Sequence, residues 1–192
     1  MRNSQATRER ILEAAMAEFS TYGISGARVD RIAKIAECNK NLIYMYFGNK
    51  ESLFTTIFQK HLSCVYKDIV FTPDDLPGYA VRVFEFAMTH PDLMRLMAWF
   101  SLEGKTTNPI EREQVHNEKI ADLDGLKNKG AVGKDFSSDF ILTAIMALAT
   151  AWTATNPFGS MMNSYAVDNF DTLKNEIFKA VNLITQGKED TK

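Results

Sequence analysis

Val29-Asp-Arg-Ile-Ala-Lys-Ile-Ala36, a break at Glu37-Cys38, then Asn39-Lys-Asn-Leu-Ile-Tyr-Met-Tyr-Phe47 and Gly48-Asn49 form the stretch that decides the fold. Val29, Ile32, Ala33 and Ala36 recur at i, i+3, i+4 and i+7, the spacing of one helical face. Arg28, Arg31 and Lys34 lie off that face. Asn39 is placed to cap a second short helix over residues 40–47, because its side chain can accept an otherwise unpaired backbone N–H. That helix buries Ile43 and Phe47 and turns Lys40, Asn41, Tyr44 and Met45 outward. Two short helices across a tight turn, the second carrying hydrogen-bond donors, suit the DNA major groove, which admits one helix and displays base edges to it.

Working outward, Ile11, Leu12, Ala15 and Phe19 predict an amphipathic helix over residues 4–22, with Gly23 as its left-handed stop. Asn49 is expected to cap a fourth helix with Leu53, Phe54, Ile57, Phe58 and Leu62 on its apolar face. A Pro/Asp-rich break at residues 72–77 follows. Further helices are predicted over 76–89, 92–103, 109–127, 137–155 and 167–186, separated by His90-Pro91, Gly104, residues 129–133, and Asn156-Pro157 with Gly159. The expected fold is all-α with about nine helices and no strand, since no alternating β-branched run occurs. Residues 1–50 are assigned to a helix-turn-helix DNA-binding domain and 51–192 to a ligand-sensing and dimerisation domain.

The run from Val29 to Ala36, then Asn39-Lys40, Leu42 to Phe47 and Gly48-Asn-Lys-Glu-Ser-Leu-Phe54 resembles the signature of the tetracycline-repressor (TetR) family of bacterial transcriptional regulators. The resemblance is strong over residues 8–58 and extends beyond them in helix order and apolarity. It implies that Lys40, Asn41, Leu42 and Met45 face bases and that Tyr44, Tyr46 and Lys50 lie near phosphates, with Asn39 at the start of the same helix. Lys can donate to guanine or phosphate, Asn can pair with adenine, and Leu or Met can touch a thymine methyl. Two positions depart from the pattern. Glu37 stands where the turn usually has Gly, and Ala27-Arg28 replaces the hydroxyl residues that usually cap the second helix, which assigns Arg28 to a phosphate. The resemblance also implies a repressor, partnered by double-stranded DNA and a small-molecule effector.

Composition sets the frame for that reading. The 192 residues are 45% hydrophobic and 24% charged, ordinary for a globular chain. The net charge of −2 hides an asymmetry, because residues 1–55 hold eight Lys/Arg against six Asp/Glu and the remainder fourteen against eighteen. Cys38 and Cys64 lack metal-ligand or paired spacing and read as free thiols. The polar opening predicts no signal peptide and a cytoplasmic location. Residues 140–167 carry no charge but are broken by Asn, Pro and Gly, so a buried helix is expected there, with no membrane association.

His61, His90 and His116 do not converge with an acid or nucleophile, and Glu113 with His116 makes two ligands without a third. No phosphate-binding loop, nucleophile elbow or zinc-protease motif occurs. The expectation is a protein that is not an enzyme and uses neither cofactor nor metal.

The helix over 137–155 is apolar all round and must be covered on every side. A homodimer would supply the cover, with Ile141, Ile145 and Leu148 on that helix and Leu173, Ile177, Val181 and Ile184 on the last as its interface. Met88, Met97, Trp99, Phe100, Trp152, Met161 and Met162, with Met94, gather soft and aromatic side chains that can line a pocket for an apolar or aromatic effector. A second reading stays open: a helical protein-interaction adaptor that has lost DNA readout.

Overall fold

The computed structural model describes residues 2–104, 110–162 and 169–186, and within them the chain is helical with no strand. In chain order the helices are α1 (Arg2–Gly26), α2 (Val29–Ile35), α3 (Lys40–Phe47), α4 (Lys50–Asp68), α5 (Leu76–Thr89), α6 (Pro91–Glu103), α7 (Ile110–Asn128), α8 (Ser138–Thr150), α9 (Pro157–Met162) and α10 (Phe170–Thr185). The nine expected helices are all present. Residue 109 of one and residues 167 and 168 of another lie outside the described residues.

The added segment is α9, where Asn156-Pro157 reads equally as a stop or a start. Asn156 Oδ1 accepts the Phe158 N–H at 3.0 Å, and Pro157 opens the helix at a position that needs no N–H. The helix expected to run to residue 155 ends at Thr150 instead. Thr153, itself buried, turns back and donates its hydroxyl to the Thr150 carbonyl at 2.8 Å.

Two compact units result, Met1–Tyr66 with Pro91–Thr107 and Lys67–His90 with Asn108–Lys192. This differs from a cut at residue 50. The apolar face of α4 is buried, and α6 rejoins the first unit through Phe100, whose ring stacks on Phe58 with centroids 4.2 Å apart. Phe19 of α1 meets Phe54 edge-on at 5.2 Å, so three helices share one aromatic core. Burying such a side chain is worth about 1.5–3 kcal/mol.

In the second unit α5 packs against α8 and α10. Val83 and Phe84 of α5, Ile141 and Ile145 of α8, and Leu173, Ile177 and Val181 of α10 are all buried there. Phe84 additionally meets Trp152 edge-on at 6.3 Å and Phe170 at 5.6 Å. Among the described residues no helix is long and apolar enough to cross a membrane.

Candidate nucleic-acid interface

Helix α2 buries Val29, Ile32 and Ala33 and leaves Arg28 exposed at its N-cap with no side-chain capping bond. The cap comes from α1 instead. Glu18, only 4% exposed, accepts the Arg28 backbone N–H at 2.8 Å. The same carboxylate accepts from Arg31 Nε at 2.8 and 3.1 Å and from Nη2 at 2.5 Å. In a capping box the third helical residue supplies a carboxylate to the N-cap N–H. Here that residue is Arg31, and it recruits the carboxylate from another helix.

The turn after α2 closes by the two bonds of a Schellman motif, Cys38 N–H to Ala33 O at 3.0 Å and Glu37 N–H to Lys34 O at 3.3 Å. Glu37 occupies the left-handed position with φ of 50°, where a Cβ is unfavourable. Asn39 then caps α3 as expected, its side chain accepting the Asn41 N–H at 2.9 Å. Asn49 likewise accepts the Ser52 N–H at 2.7 Å at the start of α4.

On α3, Ile43 and Phe47 face the core while Asn41, Tyr44 and Met45 are exposed and Leu42 is half-buried. Met45 is 71% exposed. Lys40 Nζ lies 2.9 Å from Asp30 Oδ1 of α2, and that hydrogen bond holds its pKa above the ordinary lysine value. Two residues assigned to phosphates are engaged within the protein. Lys50 donates to the Ala27 carbonyl at 3.2 Å, and the half-buried Tyr46 hydroxyl is 2.8 Å from Ser4 Oγ.

Helix α6 braces the same region. Gly23 interrupts α1 with φ of 68° and ψ of −178°. This is an extended, glycine-favouring conformation and not the left-handed stop read from the sequence. A Cβ there would lie 2.7 Å from the Trp99 ring and 2.5 Å from Glu103 Oε1. Trp99 Nε1 donates to the Ser20 carbonyl at 3.3 Å, and Glu103 accepts the Ser25 N–H at 3.2 Å. The end of α1 that precedes α2 is therefore held by α6.

These contacts relocate the predicted pocket residues. Trp99 and the buried Phe100 belong to the first unit's packing, with Met97 half-buried on the same helix. Met88 and Trp152 are half-buried in the second unit, and Met161 and Met162 are each 81% exposed. Neither unit brings the seven together as one lining.

The predicted dimer residues also need correction. Ile141, Ile145, Leu173, Ile177 and Val181 are at most 2% exposed within one protomer, so they cannot meet a second copy. Leu148 and Ile184 are half-buried. Periodicity identified the stripe, but α5 covers it. The large apolar side chains left exposed on these two helices are Phe140 and Met146 on α8 and Phe170, Phe178 and Leu183 on α10.

Sequence reasoning also missed a half-buried ammonium in the second unit. Lys119 of α7 donates to the Tyr79 hydroxyl at 2.8 Å, with its Nζ 5.3 Å from the centroid of Phe71, and burial pushes its pKa down. His116 faces Asp139 at 3.6 Å. Among the described residues no group of three or more His, Cys, Asp or Glu could hold a metal, and both cysteines are free.

A capped, outward-facing helix following a short braced one is the architecture of a helix-turn-helix DNA-binding regulator. Residues 11–57 match the profile described as bacterial regulatory proteins, tetR family, and residues 75–182 that of the tetracyclin repressor-like C-terminal domain. The chain belongs to the TetR family of transcriptional regulators. It is 35% identical over 159 residues to the HTH-type transcriptional repressor SCO4008 of Streptomyces coelicolor, covering 81% of this chain and 82% of that one. It is 43% identical over 163 residues to the HTH-type transcriptional regulator YhgD of Bacillus subtilis, covering 77% and 84%. The crystal structure of the transcriptional regulator SCO4942 of Streptomyces coelicolor superposes with a TM-score of 0.82 at 29% identity, covering 93% of this chain and 98% of that one.

Proposed function

We propose that the chain is a cytoplasmic repressor that binds a palindromic operator as a homodimer and leaves it when a small apolar or aromatic effector occupies the second unit. The carrying observation is the face of α3, where Lys40, Asn41, Tyr44 and Met45 point away from the core behind the Asn39 cap. Arg28, exposed at the start of α2, would meet the DNA backbone beside them. Two such faces about 34–36 Å apart would enter successive major grooves. Repression is proposed by analogy with the relative named as a repressor.

The dimer surface proposed is the exposed face of α8 and α10, Phe140, Met146, Phe178 and Leu183, flanked by half-buried Leu148 and Ile184. The effector site is assigned to the second unit, where Met88 and Trp152 remain half-buried. An effector displaces DNA only if it binds the DNA-incompetent state more tightly.

Fluorescence anisotropy on duplexes tiled across the DNA flanking the gene, at several salt concentrations, tests this reading. Selective, salt-sensitive binding to one palindrome, weakened by Lys40→Ala and by Tyr44→Ala, is expected. Absence of selective binding, both there and in selection from a random library, would leave the adaptor reading.

A further inference from the structure

We propose that Asp30 is a specificity-determining residue of the DNA interface, holding the Lys40 ammonium so that it reads a guanine in the operator half-site instead of any phosphate within reach. The inference rests on the DNA-binding function proposed above. Lys40 is the sole cation in α3 and stands at its first position. Its Nζ lies 2.9 Å from one carboxylate oxygen of Asp30 and 3.1 Å from the other. Both side chains face solvent, Asp30 at 72% and Lys40 at 42% exposure.

A free lysine is a compact charge on a flexible stem, able to follow whichever phosphate is nearest. Such contacts raise affinity for every sequence equally and carry no base information. The exposed ion pair across α2 and α3 biases the ammonium toward one position. The ammonium has three donors, so those not directed at Asp30 remain for the guanine O6 and N7 acceptors.

The carboxylate also works against the wrong partner. An exposed Asp30 repels neighbouring phosphates and makes the pair neutral overall, which weakens sequence-independent binding. Nearby polar side chains are fixed in the same manner, Lys50 on the Ala27 carbonyl and Tyr46 on Ser4. On this reading, α3 presents Lys40 to the base edges as an aimed donor.

The test is binding-site selection from a randomised half-site library with the 192-residue chain, comparing wild type, Lys40→Met, Asp30→Ala and Asp30→Asn. Lys40→Met identifies the base pair read by Lys40, as the position where a guanine preference disappears. At that position both Asp30 variants should lose most of the preference, while binding scrambled duplexes more tightly than wild type. Their plots of log affinity against log salt should steepen by about one unit, as one more phosphate contact requires. Thermal unfolding of each variant shows that the exposed site has not altered the fold.

Unchanged guanine preference and salt slope in Asp30→Ala would overturn the proposal, as would uniform weakening on all sequences or a Lys40→Met protein that loses no base preference. A wild type without any selective duplex would instead remove the DNA-reading function itself, and this inference with it.

Discussion

Glu18 and Arg31 are joined by a charged contact of 2.5 Å in which the carboxylate is 3% exposed and the guanidinium 38%, so the acid is buried and the base is its route to solvent. The same carboxylate accepts the Arg28 N–H, which makes α1 the N-terminal cap of α2. The position of the helix-turn-helix is thereby tied to a residue eleven positions upstream of Val29.

Replacing Glu18 with Ala should destabilise the protein by about 1–3 kcal/mol, the range for losing a cap or a charged hydrogen bond at a buried group. Urea denaturation measures it. A shift near zero would mean that water replaces the carboxylate without loss.

Glu37→Gly should have the opposite sign. The native φ of 50° places a side chain where glycine has no penalty, and relief of that strain is worth about 1 kcal/mol. The urea midpoint should rise with the slope unchanged; an unchanged or lower midpoint would show that the Cβ is tolerated there.

Charge placed on the exposed face of α8 and α10 should separate the proposed dimer without unfolding the protomer. Light scattering after gel filtration of Met146→Glu with Phe178→Glu is expected to report a folded monomer. Ile177→Ala, inside the core, should instead cost about 2–5 kcal/mol of stability. A double variant that remains dimeric would place the interface elsewhere.

The Lys119 ammonium gives a pH dependence whose direction is set by burial. Its pKa is lowered in the folded protein, so between the folded and unfolded values the unfolded chain binds more protons and stability rises with pH. Relative to Lys119→Met, wild type should therefore gain stability as pH climbs from neutral toward the ordinary lysine range. Tyr79, whose hydroxyl burial pushes up, is kept in both proteins. A flat difference between the two would show that the amine is not desolvated.

Much of the reading face was legible because its signals are local. Asn39 and Asn49 cap helices within three residues, and Ile43 with Phe47 sets which side of α3 is buried; those side chains leave Lys40, Asn41, Tyr44 and Met45 outward whatever packs behind them. Lys50 and Tyr46 were harder to place because their partners, Ala27 and Ser4, lie far away in the chain. Glu18 carried a signal that could have been used, being an acid inside the stripe of Ile11, Ala15 and Phe19.

The sequence by itself determined nine of the ten described helices, their apolar stripes, the Asn39 and Asn49 caps and the family, since helical period and capping act over a turn or two of chain. Tertiary structure alone decided what each stripe meets. Phe100 went to Phe58 in the first unit, and Ile141, Ile145, Leu173, Ile177 and Val181 went under α5, leaving Phe140, Met146, Phe178 and Leu183 outside. Hydrophobic burial is non-directional, so a stripe specifies that it must be covered and not by which element. Only the packed chain, with α5 and α6 in place, selects between a neighbour in the same protomer and a face left open for another molecule.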